Sequence, residues 1–295
     1  MIENRASPIR LHEDPELFRE AVNYTAATTG FIARLIEKDY FCSVVLQHLA
    51  TVSNLVFRGG TCLSKVHAEL YRLSEDLDFI IPTPVDLPRS ERSRSASGAK
   101  VAVETAGADL PGLSVVTSVT GSNESRQYNG VVGYHSVFGS RKETIRIEVS
   151  LREPLCESPI EGGLRTLLLN PVSGSALTPT ISFTCLSWRE AVAEKFRAAL
   201  SRREIAIRDF YDIDHAVRGL GLDLLDPELV SLVERKLAVP GNDSVDVSTN
   251  RLAMLRLQVE SQLKPVLRPR DFEEFDLQRA SNLATAMVAA MGQTS

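Results

Sequence analysis

Residues 56–65 read Val-Phe-Arg-Gly-Gly-Thr-Cys-Leu-Ser-Lys, and residues 74–78 read Ser-Glu-Asp-Leu-Asp. The first stretch predicts an apolar strand that runs into a glycine turn and a short helix, and the second predicts the start of another strand. Because side chains alternate along a strand, Asp76 and Asp78 point to one face. Two carboxylates beside a glycine turn predict a site for Mg²⁺ and a nucleoside triphosphate.

The residue types suit that chemistry. Mg²⁺ is usually held by one or two carboxylates together with substrate phosphates. Gly60 has no Cβ, so its backbone could approach a phosphate, and the first N–H groups of the following helix attract anions. Glu148 lies in the strand-like run Ile-Arg-Ile-Glu-Val at 145–149. It is the candidate third carboxylate, although a charged residue in an alternating strand can equally lie on the solvent face.

These stretches resemble the first motif of the DNA-polymerase-β-like nucleotidyltransferases and, more narrowly, the AbiEii/MenT toxin family. Three further stretches are similar to that family: Glu-Lys-Asp-Tyr at 37–40, Glu-Lys-Phe at 194–196 followed by two arginines at 202–203, and Arg-Asp-Phe-Tyr-Asp-Ile at 208–213. The resemblance covers roughly residues 37–215. The order and spacing of the motifs make it specific, whereas a lone Asp-x-Asp pair could be a solvated strand cap.

The resemblance implies an α/β (α+β) fold with a small mixed-sheet nucleotidyltransferase core, N-terminal helices and a helical C-terminal lobe, and an active site in the cleft between core and lobe. It implies NTP as substrate and Mg²⁺ or Mn²⁺ as cofactor. The metal ligands would be Asp76, Asp78 and Glu148. The nucleotide-binding residues would be those of the turn and the helix after it, together with the lysine of the lobe: Gly59, Gly60, Thr61, Ser64 and Lys195.

One departure concerns the turn, in which the second glycine replaces the serine of many polymerase-β-like enzymes. Backbone N–H groups or the hydroxyls of Thr61 and Ser64 would have to bind the phosphate in its place. Lys65 is expected on the helix surface. Ser74 is a possible regulatory residue, because a phosphate beside the carboxylates would repel the nucleotide.

In the C-terminal segment, Lys195 is expected to neutralise the triphosphate, and it is otherwise an exposed helix lysine. Asp209 is the preferred second catalytic residue there. Asp209 or Asp212 could orient Lys195 or act as the base for an acceptor hydroxyl. The sequence leaves open which of the two does so.

The resulting hypothesis is a toxin that transfers NMP from NTP to an RNA acceptor, namely a tRNA 3′ end, and so blocks translation. A cognate antitoxin protein is its expected partner. The acceptor could instead be a protein or small-molecule hydroxyl, and a non-catalytic nucleotide- or partner-binding module is the alternative from another class.

Composition limits these choices. The chain has 295 residues, a formal net charge of −5 and a hydrophobic share of 43%, which are ordinary values for a globular protein. An acidic chain is a poor general binder of nucleic acid but can carry a local basic surface. The four cysteines show no Cys-x-x-Cys pairing. With no visible secretory signal or membrane span, a reduced, cytoplasmic protein is expected.

The periodicity predicts an N-terminal helical layer over 1–50, the core over 51–186 and the helical lobe over 187–295. Residues 89–98 are expected to form a loop or a frayed helix start. The predicted helices cover 15–27, 31–36, 40–49, 99–106, 187–198, 204–218, 227–238, 248–263 and 271–291. The predicted strands cover 55–58, 77–81, 114–120, 130–138 and 144–151.

Overall fold

The computed structural model describes residues 9–139 and 141–294, so the start of the predicted N-terminal layer lies outside the described residues. The chain forms two compact units. The first runs up to Leu155 and resumes over Pro159–Cys185, and the second comprises Cys156–Ser158 and the chain from Leu186 onward. The three-part division at residues 50 and 186 stays a prediction. Within the described ranges, no helix combines the length and hydropathy needed to cross a bilayer.

Two long helices open the first unit, α1 (Pro15–Thr29) and α2 (Ala33–Leu49). Asp14 caps α1 by accepting a hydrogen bond from the Leu17 N–H, and Gly30 ends the helix with a φ of 81°. A short polar side chain and a left-handed glycine are the usual start and end of a helix.

The prediction of separate helices over 31–36 and 40–49 is wrong, because α2 runs through without a break. The charged residues between them resemble a solvated break but are buried with partners. Glu37 is 0% exposed and accepts hydrogen bonds from Ser136 Oγ at 2.7 Å and the Val137 N–H at 2.8 Å. Asp39 is buried as well, and it forms an ion pair with Lys65.

The remaining helices of the first unit are α3 (Gly59–Cys62), which continues as a π-helical turn (Leu63–His67), α4 (Arg89–Ser95) and α5 (Ser97–Asp109). Of the two alternatives for residues 89–98, a loop or a frayed helix start, the loop is therefore wrong. Arg92 explains this, since it is 4% exposed and donates to the Glu124 carbonyl at 2.8 Å. A buried arginine fixes a segment whose composition alone indicates a loop.

Seven strands of the described chain form one mixed sheet. They are β1 (Val56–Arg58), β2 (Asp76–Ile80), β3 (Leu113–Ser122), β4 (Gln127–His135), β5 (Lys142–Ser150), β6 (Ile160–Leu164) and β7 (Ile181–Cys185). Their order is β3-β4-β5-β2-β1-β7-β6. β2 lies parallel to β5 and antiparallel to β1, so it is central. The sequence did not predict β6 and β7, which are short and, in β6, interrupted by two glycines.

The two faces of the sheet differ in polarity. On β2 and β5, Leu77, Phe79, Ile147 and Val149 are at most 2% exposed and belong to the core beneath α1 and α2. The residues that alternate with them are polar. Burial of one face therefore fixes the direction of the polar side chains, because the side-chain period of a strand is two.

The second unit is helical, as predicted. Its helices are α6 (Trp188–Ser201), α7 (Ile207–Leu220), α8 (Pro227–Leu237), α9 (Thr249–Gln258), α10 (Pro269–Glu273) and α11 (Leu277–Thr294). Ser187 caps α6 by accepting from the Glu190 N–H at 3.1 Å. The single helix predicted over 271–291 is wrong, because Asp276 accepts from the Arg279 N–H at 2.9 Å and so starts α11 anew.

Ser187 and Glu190 have the spacing that predicts a capping box, but the Glu190 side chain does not close one. Its carboxylate accepts from the Cys156 N–H at 3.0 Å and the Glu157 N–H at 2.8 Å. It also pairs with Lys236 at 2.7 Å, where both side chains are 0% exposed. The segment Cys156–Ser158 is therefore fastened inside the second unit.

Candidate active site

Gly59 forms the turn between β1 and α3 and has a φ of +77°. A Cβ at this position would lie 2.3 Å from Asp78 Oδ2. Glycine is needed for both reasons, since other residues rarely adopt this φ and none would leave room for the carboxylate. The Asp78 side chain therefore lies directly against the backbone of the turn.

Gly60 allows a second close approach. A Cβ there would lie 2.4 Å from Arg72 Nη2. Arg72 is 2% exposed. The glycine pair thus brings a guanidinium and a carboxylate against one turn, whereas the sequence suggested an approach by phosphate alone. Sequence reasoning missed Arg72, which lies in an unremarkable stretch between the two motifs.

The three predicted carboxylates lie on neighbouring positions of the polar sheet face. Asp78 and Glu148 are direct register partners on the parallel strands β2 and β5. Neighbouring strands are about 4.8 Å apart, and directly paired residues share a face. Asp76 is two residues before Asp78 and has the same direction. All three are partly buried. The structure therefore brings Glu148 to the side of the sheet that carries Asp76 and Asp78.

The donor set fits a divalent metal, because all its members are carboxylates. Within the part of the chain that the structure describes, however, no three His, Cys, Asp or Glu side chains are grouped closely enough to hold an ion on their own. Mg²⁺ sites that use one or two carboxylates and complete their shell with substrate phosphates have this character. The carboxylate row of Asp76, Asp78 and Glu148 suits a metal ion that arrives with a nucleotide better than a metal ion bound on its own.

The hydroxyls of the turn are already engaged. Thr61 Oγ1 donates to the Asp76 carbonyl at 2.5 Å, and Ser64 Oγ donates to the Arg72 carbonyl at 2.5 Å. Each residue is 1% exposed. These bonds tie the helix after the turn to the chain that carries the carboxylates. A role of Thr61 and Ser64 in nucleotide binding stays a prediction, as does regulation through the partly buried Ser74.

Lys65 is buried, not on the helix surface as expected. Its Nζ donates to Asp39 Oδ1 at 2.5 Å, Ser43 Oγ at 2.9 Å and the Arg165 carbonyl at 3.2 Å. Asp39 Oδ2 also accepts from the Leu167 N–H at 3.0 Å. The pair anchors the helical segment behind the glycine turn.

Glu75, next to the carboxylate row, is held by two cations. Glu75 Oε1 lies 2.9 Å from Arg34 Nη2 and 3.2 Å from Lys38 Nζ. Burial raises the pKa of Glu75, but Lys38 and Arg34 outweigh burial, so its pKa lies below its ordinary value. Glu75 therefore stays ionised and links α2 to the start of β2.

In the second unit, Lys195 on α6 lies between two carboxylates of α7. Its Nζ is 3.0 Å from Asp209 Oδ1 and 2.8 Å from Asp212 Oδ2. The three side chains are 11%, 8% and 0% exposed in that order. Lys195 is therefore not an exposed helix lysine. Both aspartates orient it, so the choice between them that the sequence left open has no single answer for this role.

Asp209 differs from Asp212 in its second oxygen. Asp209 Oδ2 is buried and has no hydrogen-bond partner among the described residues. Arg202 Nη1 lies 3.7 Å from it. A buried acceptor of this kind can take a proton or bind a donor. This distinction supports the preference for Asp209 as a catalytic residue, and that role stays a prediction.

Comparisons with known proteins give the family of the chain and structures of similar fold. A family model described as nucleotidyl transferase AbiEii toxin, type IV toxin–antitoxin system, matches residues 45–293. A comparison with curated proteins finds no match.

Two solved structures show similarity of fold. The nucleotidyltransferase toxin MenT4 from Mycobacterium tuberculosis is 18% identical with a TM-score of 0.54, and the match covers 92% of this chain and 98% of that one. JHP933 from Helicobacter pylori is 15% identical with a TM-score of 0.51, with coverage of 89% and 94%. The predicted mixed α/β fold class is confirmed.

Proposed function

Because the chain belongs to the AbiEii nucleotidyltransferase toxin family of type IV toxin–antitoxin systems, we propose that it transfers NMP from an NTP to the 3′ end of an RNA, namely a tRNA. The protein is a nucleotidyltransferase toxin, and its family implies an NTP substrate and an antitoxin partner. The tRNA acceptor and the use of Mg²⁺ or Mn²⁺ are our proposals for this reaction.

One observation carries the proposal. The register pair Asp78–Glu148 and the contact of Asp78 with Gly59 place the carboxylate row beside the glycine turn. The first N–H groups after the turn have no side-chain cap from Arg58. Such groups attract phosphate oxygens. A triphosphate at the turn would thus have its charge next to the metal-binding carboxylates.

Asp76, Asp78 and Glu148 would hold the metal–nucleotide complex. When bound, a divalent metal supplies charge neutralisation for the phosphates. In the reaction, the acceptor 3′ oxygen forms a bond to the α-phosphorus, and the bond from that phosphorus to the β-phosphate bridging oxygen breaks, releasing pyrophosphate. The hydroxyl proton passes to a carboxylate base. Asp209 or Asp212 is the candidate base, and Asp209 is preferred because its buried Oδ2 has no hydrogen-bond partner among the described residues.

Lys195 and Asp209 are the proposed catalytic residues of the second unit. An ammonium held by two carboxylates is fixed in direction, which is what charge stabilisation requires. Asp209 keeps one buried oxygen without a hydrogen bond among the described residues. Lys195 is proposed to neutralise phosphate charge, and Asp209 is proposed to orient Lys195.

The test uses purified protein, Mg²⁺, total cellular RNA and each of the four α-labelled NTPs in turn. We expect label in a tRNA-sized band with one NTP, and none with the Asp76→Ala variant. Label in protein bands would overturn the RNA acceptor in favour of a polypeptide hydroxyl. NTP binding without label in any fraction would overturn the proposed reaction and favour a binding module.

A further inference from the structure

The open face of β5 continues beyond the carboxylate row as a basic surface. Lys142 and Arg146 precede Glu148 by six and two residues on this strand, and an even spacing gives the three the same face. Lys142 and Arg146 are exposed. Here "β5 track" denotes Lys142, Arg146 and Glu148.

The register extends the track into its neighbours. Glu148 pairs with Asn129 on β4, and Asn129 pairs with Thr120 on β3. Arg146 pairs with Asp76 on one side and with Val131 on the other. The row that begins with Asp78 thus continues through an amide and a hydroxyl, away from the glycine turn.

The cations of the track have no carboxylate partner among the described residues. Across the described residues, neither Lys142 nor Arg146 forms an ion pair, and Arg146 forms none with its register partner Asp76. Glu143 lies on the opposite face of β5 and is already paired with Arg34 at 3.4 Å and Arg141 at 3.6 Å. In a chain of net charge −5, two cations without a carboxylate partner on the strand face that carries Glu148 favour an anionic ligand there.

Distances along the strand set the scale. A strand rises about 3.3 Å per residue, so Arg146 lies about 7 Å and Lys142 about 20 Å from Glu148 along β5. Lys142 lies flat on the sheet, because a Cβ at Gly133 would come 2.6 Å from Lys142 Cε. The track is extended and narrow, which suits a single strand better than a duplex.

We propose that the β5 track binds the single-stranded 3′ end of the RNA acceptor, with Arg146 and Lys142 contacting its backbone phosphates. This inference rests on the proposed function, since it assigns the surface for the acceptor of that reaction. The 3′ hydroxyl lies at Glu148, and the preceding nucleotides run along β5 towards Lys142. Charge complementarity and continuity with the carboxylate row identify the occupant.

Binding of a fluorescent single-stranded RNA oligonucleotide with a free 3′ hydroxyl is measured by anisotropy over a range of salt concentrations, without NTP. The full chain is compared with Arg146→Gln, Lys142→Gln and the double variant. Arg94→Gln, an exposed arginine on α4 paired with Glu91, is the matched control. Thermal unfolding shows that each variant is folded.

We expect each single substitution to weaken RNA binding about 3- to 10-fold and to reduce the salt slope of the affinity by about 0.7. In the double variant, the reduction of the salt slope should be about twice that of a single variant. Arg94→Gln should bind RNA like the wild type. In none of the four variants should the affinity for a fluorescent NTP change together with the affinity for RNA. Under turnover, the KM for RNA should rise in the track variants.

An unchanged salt slope in the double variant would overturn the inference, even if wild-type protein labels RNA and the proposed function stands. Absence of RNA binding by wild-type protein would overturn it as well. Conversely, RNA binding that depends on the track would support the inference in an assay that requires no transfer. If wild-type protein then labels no RNA, the proposed reaction fails separately.

Discussion

Gly59 combines a left-handed backbone with a contact that leaves no room for a Cβ. We expect Gly59→Ala to lower the free energy of unfolding and to remove activity, because the new methyl group would displace Asp78. The backbone strain costs about 1–2 kcal/mol. The clash adds roughly 1–3 kcal/mol. Urea denaturation and the labelling assay measure the two effects.

Gly221 offers a control for the strain alone. It has a φ of +69°, and a Cβ there would meet nothing within 4 Å. Gly221→Ala should therefore show only the backbone loss and keep its activity. Equal destabilisation of the two variants would contradict the contact between Gly59 and Asp78.

Asp78 is the carboxylate nearest to the turn. We expect Asp78→Asn to reduce nucleotidyl transfer by about 100-fold or more, since an amide neither carries the charge for a metal nor matches a carboxylate ligand. Asp86→Asn changes an exposed carboxylate of the same unit and should be neutral. Comparable rates for Asp78→Asn and Asp86→Asn would remove Asp78 from the site.

Residues of this kind were predictable from the sequence because their placement follows from strand periodicity. Asp76 and Asp78 share a face whatever the rest of the fold does, and Glu148 needed only the pairing of β2 with β5. Lys65 and Arg72 were not predictable. Their partners are brought together by the tertiary fold, and the linear pattern of a lysine or arginine does not show whether it is buried.

At the level of elements, Glu75 joins α2 to β2 through Arg34 and Lys38, and this link should depend on pH. The pKa of Glu75 is lower in the folded state than its ordinary value of 4.5. The contribution is therefore present above pH 4.5 and is lost as the pH falls through the folded pKa. We expect Glu75→Gln to destabilise the protein by about 1 kcal/mol at pH 7.

The same substitution should have a smaller effect below pH 4.5. Urea denaturation of wild type and Glu75→Gln at pH 7 and at decreasing pH measures the difference. A difference that stays constant below pH 4.5 would show that the carboxylate charge is not what links the two elements.

α6 and α7 are joined through Lys195. We expect Lys195→Met to destabilise the protein by about 3–5 kcal/mol, because Asp209 and Asp212 would remain buried without their ammonium group. Lys195→Met/Asp212→Asn should recover part of this loss. Denaturant midpoints measure both. Transfer activity, assayed well below each midpoint, should stay low in the double variant if Lys195 is catalytic.

Element types were easier to predict than element boundaries. The predicted helix starts at residues 15 and 187 agree with the structure to within a residue, because Asp14 and Ser187 cap these helices through local hydrogen bonds. The supposed break in α2 and the supposed loop over 89–98 failed for one reason. In both, charged residues are buried through long-range partners, and local composition cannot distinguish a buried charge from a solvated one.

For the whole molecule, binding of the metal–nucleotide complex should appear as stabilisation. At a ligand concentration of about 100 times Kd, the folded state gains about 2.7 kcal/mol. This corresponds to a rise in Tm of roughly 5–10 °C. We expect Mg²⁺ with the preferred NTP to produce this shift, and EDTA to remove it. An equal shift in Asp78→Asn would contradict the assignment of the carboxylate row.

Fold class and enzyme class followed from the order of motifs along the chain, and the family match agrees with both. The path of the chain between the two units could not be predicted from these motifs. The crossing of Cys156–Ser158 into the second unit depends on Glu190, whose place in the sequence suggested only a capping box. Chain crossings of this kind are decided by packing and leave no periodic signal.

That crossing has a consequence for synthesis. Cys156–Ser158 is synthesised before Glu190, so the N–H groups of Cys156 and Glu157 cannot reach their final acceptor until the chain has grown to that residue. All seven strands lie before Leu186, so the sheet of the first unit needs no later residue. The order of synthesis therefore leaves the sheet independent of Glu190 and makes the second unit dependent on it.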